Sequence, residues 1–85
     1  MTKQITIEEF LEKNKDSMKE GYITCDKDGT WNFWTTLPYL EVYHTYWQFD
    51  MDYITEESEA ENLSAIFDIA PAKDWKNSLI KIERK

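Results

Sequence analysis

Apolar residues at the start of the chain recur with helical spacing. Ile7, Phe10, Leu11 and Met18 fall on one face, with Asn14 interrupting the stripe. Thr6 and Glu9 stand three apart, as a capping box requires, and Ile5 and Phe10 are placed as a hydrophobic staple. This predicts a helix over 7–20, closed by Gly21 as a left-handed cap residue.

The pattern then changes. Tyr22-Ile23-Thr24-Cys25 is rich in strand formers, and Asp26-Lys27-Asp28-Gly29 reads as a turn with Gly29 supplying positive φ. Thr30 to Thr36 is the expected return strand, broken at Leu37-Pro38-Tyr39 because proline cannot donate to a ladder. Leu40 to Phe49 reads as a third strand, with Tyr43, Thr45, Trp47 and Phe49 on its more apolar face. Ser58 and Glu61 suggest a second capping box, and Ala60, Leu63, Ile66 and Phe67 continue at helical spacing. They predict a second helix over about 57–67, ended by Pro71. Ser78 to Ile82 reads as a final strand, in competition with a helical continuation through Trp75 and Leu79. The order α-β-β-β-α-β implies a single α+β domain over 1–85, a small antiparallel sheet with two helices on one face.

Charge sharpens this picture. The chain has 85 residues and a net charge of −7. No lysine or arginine occurs between Asp28 and Ala72, and that stretch alone carries −9. Within it, residues 31–53 hold nine of the thirteen aromatic side chains. The field from this region repels nucleic acid and anionic membranes and attracts basic partners. Cys25 is the sole cysteine, so no intrachain disulfide forms, which fits a reducing compartment. The opening MTKQITIEEF has no apolar secretory core, and no apolar run approaches the roughly 20 residues of a membrane span. The expected setting is the cytoplasm of a bacterium or a phage-infected cell.

The segments EEFLEKNKDSMKEGYI and FDIAPAKDWKNSLIKI resemble the ends of small proteins of phages and gut-bacterial mobile elements. The resemblance leaves out the aromatic middle. It implies an accessory phage-type protein and carries no catalytic residue with it.

Candidate chemistry is sparse. Placing Gly29 at the invariant glycine of a calcium loop puts Thr35 where the bidentate glutamate belongs, so a turn is the better reading. Cys25 and His44 would make a nucleophile–base pair only if their strands were neighbours, and neither has an activating motif. One histidine and one cysteine do not supply a transition-metal centre, and Asp50, Asp52, Glu56 and Glu57 read as a solvated acidic loop before a cation site. Carboxylates beside aromatics also occur in glycosidases, yet no pair stands out, and 85 residues leave little room for a cleft as well as a core. Base-stacking platforms come with basic grooves, which this stretch lacks. Neither an enzyme nor a cofactor is expected.

Protein binding remains. Tyrosine and tryptophan dominate interface hot spots, and an acidic rim steers basic partners. Trp31 and Phe33 alternate with Trp34, and Tyr43, Trp47 and Phe49 with Tyr46, so aromatics lie on both faces. Two helices on one side leave the other face bare. The sequence therefore predicts an interaction protein that offers Trp34 and Tyr46 as anchors and Asp50, Asp52, Glu56, Glu57 and Glu59 as steering charges. Its partner is a basic protein, such as a host nucleic-acid-binding protein blocked at its basic site. A homodimer that buries the spare aromatic face is the alternative, and a small enzyme or sugar-binding module is a third.

Overall fold

A computed structural model describes residues 4–41, 43 and 45–83. It is a small α+β fold with, among the described residues, one α-helix and mostly antiparallel sheet. The helix, α1 (Ile7–Asn14), starts as its capping box dictates: Thr6 Oγ1 accepts the Glu9 amide at 3.1 Å, and Glu9 Oε1 accepts the Thr6 amide at 3.4 Å. It ends well short of residue 20. The Asn14 side-chain amide donates to the Phe10 carbonyl, and Ser17 Oγ donates to the Asn14 carbonyl, the acceptor that a further helical turn would need for the amide of residue 18. The chain tightens into a 3₁₀ turn at Lys15–Ser17 and is extended by Met18.

The central sheet contains β1 (Gly21–Cys25), β2 (Trp31–Trp34), β5 (Ala60–Asn62) and β6 (Ile80–Ile82), in the order β5-β2-β1-β6, all antiparallel. The β1–β2 turn forms as expected. Gly29 has φ 93° and donates its amide to the Asp26 carbonyl at 2.9 Å. Gly21 is not a helix cap. A Cβ there would collide with the Trp34 carbonyl oxygen and stand 2.6 Å from the Phe33 ring, so glycine permits the close approach of β1 to β2.

The predicted third strand is two. Pro38–Glu41 forms β3 and Tyr46–Phe49 forms β4, paired antiparallel as a separate two-stranded sheet. The chain reverses between β3 and β4, with Thr45 in the left-handed region at φ 63°. The predicted second helix is also absent. Residue 59 is bound to β2 instead: the Thr35 amide donates to the Glu59 carbonyl at 3.1 Å, and the Glu59 amide donates to Thr35 Oγ1 at 2.7 Å. Ser58 Oγ, the supposed cap, accepts the Thr55 amide at 2.8 Å. Residues 60–65 form the edge strand β5 and then a short 3₁₀ turn at Leu63–Ala65. Near the C-terminus a 3₁₀ turn at Trp75–Asn77 precedes β6, so the strand reading holds for 80–82 and the helical continuation through Leu79 does not form.

The register shows how the faces are used. Ile23 opposes Phe33 and Cys25 opposes Trp31, and these four lie on one side with Ile82, under Ile7 and Phe10 of α1. Phe10 meets Phe67 edge to face at 4.8 Å. Thr24 and Trp34 lie on the other side. There the β3–β4 hairpin supplies the cover that the sequence reading lacked. Phe49 packs edge to face on Trp34 at 5.1 Å, and the Trp34 indole donates to Thr24 Oγ1 at 2.8 Å. The sheet is thus enclosed by a helix on one face and by a second hairpin on the other. Among the described residues no helix is long and apolar enough to cross a membrane.

Gly21→Ala tests this packing. Overpacking at this site costs about 1–3 kcal/mol, read as a lower denaturant midpoint with an unchanged slope. An unchanged midpoint would mean that the two strands stand further apart than described.

Candidate functional site

The sequence-predicted site residues separate in the structure. Trp34 is 6% exposed and holds the two layers together, so it presents no surface to a partner. The exposure expected of it is corrected: the chain's own hairpin covers it. Tyr46 remains outside at 38% exposed. Alternation within the hairpin explains the difference. Tyr39 opposes Gln48 and Glu41 opposes Tyr46, and these four share the outward face, while Leu40 opposes Trp47 and Pro38 opposes Phe49 on the inward one. Tyr43 at the tip is 92% exposed. After β4, Met51 is 84% exposed, and Tyr53 and Ile54 are exposed as well.

The acids divide likewise. Asp50 is half-buried and shapes the turn after β4: its Oδ1 accepts the Asp52 amide at 2.9 Å, and its carbonyl accepts the amides of Tyr53 and Ile54. Asp52, Glu56 and Glu57 are exposed in the turns beyond it. Glu59 belongs elsewhere. It lines a groove of about 510 Å³ between the end of α1 and the β2–β5 edge, with Glu61, Met18 and Phe67 among its other walls. Among the described residues no three of histidine, cysteine, aspartate and glutamate are grouped to hold a metal ion.

Asp26, to which the sequence reading assigned only a turn role, joins the two layers. Its Oδ1 accepts the Trp47 amide at 2.9 Å and its Oδ2 accepts the Asn32 side-chain amide at 3.4 Å. Next to it the Lys27 amide donates to the Thr45 carbonyl at 3.1 Å, and the Trp47 indole donates to the Trp75 carbonyl at 3.1 Å. Burial pushes the Asp26 carboxyl above its ordinary range, and the Trp47 amide, which favours the charged form, only partly opposes this; Asp28 adds to the rise. Asp28 itself is held below its ordinary range by the Thr30 amide that it accepts.

Cys25 is fully buried, and burial raises its thiol, the reverse of what an attacking thiolate needs. Its amide donates to Ser78 Oγ at 2.8 Å, which ties β1 to the segment before β6. His44, the base considered for it, lies outside the described residues.

Comparison with protein-family models, with curated proteins and with solved structures gives no match. The surface is therefore read on its own chemistry. It offers tyrosines on a hairpin, apolar side chains in the turn after it, and carboxylates among them in a stretch of sequence without lysine or arginine.

Asp26 gives this arrangement a pH signature. Because its folded value is raised, the folded chain holds this proton to higher pH than the unfolded chain, whose value is about 3.8. Its contribution to stability is fully present below that value and falls as pH rises through the folded value. Denaturant unfolding of the wild type and Asp26→Asn across pH 3–7 isolates the effect: the wild type loses stability relative to the variant as pH rises, then the difference levels off. Asp26→Ala, which leaves the Trp47 amide without an acceptor, is expected to cost about 1–3 kcal/mol at neutral pH.

Proposed function

We propose that this chain is an interaction module that presents the outward face of β3–β4 and the turns after β4 to a basic protein partner. The observation that supports this is the exposure of Tyr39, Tyr43, Tyr46, Met51, Tyr53 and Ile54 within one acidic stretch. Scattered apolar side chains need no explanation, but six from a 16-residue segment, four of them tyrosine, make an amphipathic contact surface. Tyr46 is the proposed anchor on the ordered strand, with Tyr39 beside it on the same face. Asp52, Glu56 and Glu57 supply long-range attraction, which acts mainly on the rate of encounter. The partner class with matching charge is a protein whose basic site ordinarily receives nucleic acid. Nucleic acid itself is disfavoured by the same charges, and inhibition of such a host protein is the role that best fits a phage-type accessory protein.

A second copy of the chain is the competing occupant of the tyrosine face, and sedimentation separates the two. A monomer is expected at high micromolar concentration, whereas a dimer dissolved by Tyr39→Ser and Tyr46→Ser would assign the face to self-association. For the basic partner, affinity capture from source-cell lysate is repeated with two variants. Tyr46→Ala should cost on the order of 2 kcal/mol of affinity, as at a hot spot. Reversal of Asp52, Glu56 and Glu57 to lysine should slow association about tenfold at low salt and little at high salt. Capture that ignores salt and both variants would contradict the proposal.

A further inference from the structure

The groove beside β5 lies apart from the tyrosine face, and its chemistry is different. Its apolar walls include Phe10, Met18, Phe33, Leu63 and Phe67, and the carboxylates of Glu59 and Glu61 line it, with Lys19 the one base among the described lining residues. A volume of about 510 Å³ is within the range of ligand sites. One wall is an open sheet edge. Among the described residues β5 pairs with β2 on one side only and has no strand on the other. The Thr35–Glu59 backbone bond and the Phe33–Glu61 pairing fix which groups face β2, so alternation turns the amides and carbonyls of Ala60 and Asn62 away from it. All three β5 residues are exposed.

We propose that β5 and this groove receive an extended segment of a basic partner, which adds as a further strand to the open edge and lays arginine or lysine side chains across the groove onto Glu59 and Glu61. Glu61 lies on the Phe33 side of the sheet, which is the groove side, and Glu59 is placed there too by alternation. Side chains from an added strand reach the groove on that same side. Arginine and lysine suit it because their methylene stems cover apolar surface while their charged ends reach carboxylates. Arginine also stacks on aromatic rings such as those of Phe10 and Phe67. On the opposite side Ala60 is small and leaves room for a β-branched neighbour. The same charges disfavour a second copy at this edge, because β5 paired with β5 would bring glutamates of the two chains together. A strand-added peptide draws affinity from main-chain bonds and selectivity from alternate side chains, as this edge provides.

The test uses the full chain, isotope-labelled, titrated with a heptapeptide alternating arginine with valine. Two control peptides carry glutamate for arginine, or N-methyl groups on alternate amides so that the strand cannot pair. The expected result is amide shifts centred on Ala60, Glu61, Asn62 and Met18, slowed hydrogen exchange at Ala60 and Asn62, and at least a tenfold weaker fit for either control peptide. Glu59→Lys with Glu61→Lys should weaken binding by at least tenfold while spectral dispersion is kept. If that double variant does not fold, the N-methylated peptide against the wild type decides alone. Equal binding of the N-methylated peptide, shifts centred instead on Tyr39 and Tyr46, or Ala60 and Asn62 already protected in a β5-paired dimer would each overturn the proposal. The tyrosine-face variants leave this readout unchanged, so the two surfaces fail or stand separately.

Discussion

The Asp26 carboxylate, half-buried between two sheets and holding the Trp47 amide, is the contact on which the rest of the structure depends. It lies where the first hairpin turns and where the second must dock. Without it the β3–β4 hairpin meets the central sheet mainly through side-chain packing, of which Trp34 on Phe49 is the core. With it, and with the neighbouring Lys27–Thr45 backbone bond, the hairpin has one orientation and therefore one outward face. A half-buried carboxylate is costly unless its acceptors are used. Both oxygens of Asp26 are used, and no buried side-chain nitrogen or oxygen among the described residues lacks a partner.

Enclosure of the central sheet on both sides answers a difficulty in the composition. A chain this short buries only about 60–65% of its unfolded surface, yet it carries thirteen aromatic side chains. Trp31, Phe33 and Phe10 go between the helix and the central sheet; Trp34, Trp47 and Phe49 go between the sheets. Four of the five tyrosines, Tyr39, Tyr43, Tyr46 and Tyr53, are left over, and tyrosine is the aromatic best able to stay at a wet surface, since it has an apolar body and a polar end. The sorting of tryptophan and phenylalanine inward and tyrosine outward is the physical basis for reading the hairpin's outer face as a contact surface.

Local features were legible in the sequence and long-range ones were not. The capping box of Thr6 and Glu9 and the turn closed by Gly29 involve residues within a few positions of each other, and both form as read. The α+β class came from the mixture of periods. Leu63, Ile66 and Phe67 fit a helical spacing and so predict a helix over 57–67, but residue 59 finds Thr35, 24 positions away, and a sheet edge wins over local preference. Leu40 to Phe49 was read as one strand because no glycine or proline marks the reversal; Thr45 makes it at φ 63°, a conformation uncommon outside glycine. Trp34 was put outside for a related reason. The alternation correctly set it opposite Trp31 and Phe33, but the cover for its face comes from the chain returning after Pro38. Once the reversal between β3 and β4 is known, the same alternation picks out Tyr39 and Tyr46 as the outward pair.

A defined tyrosine face requires the second hairpin to be docked as firmly as the core beneath it. Native-state hydrogen exchange, residue by residue, reads this out. The Trp47 amide, buried on Asp26, should exchange on the timescale of Ile23 in β1, while amides of the exposed turns at 51–57 exchange orders of magnitude faster. If Trp47 exchanged as fast as those turns, with Ile23 still protected, the hairpin would be detached from the sheet and the tyrosine face would not exist as described.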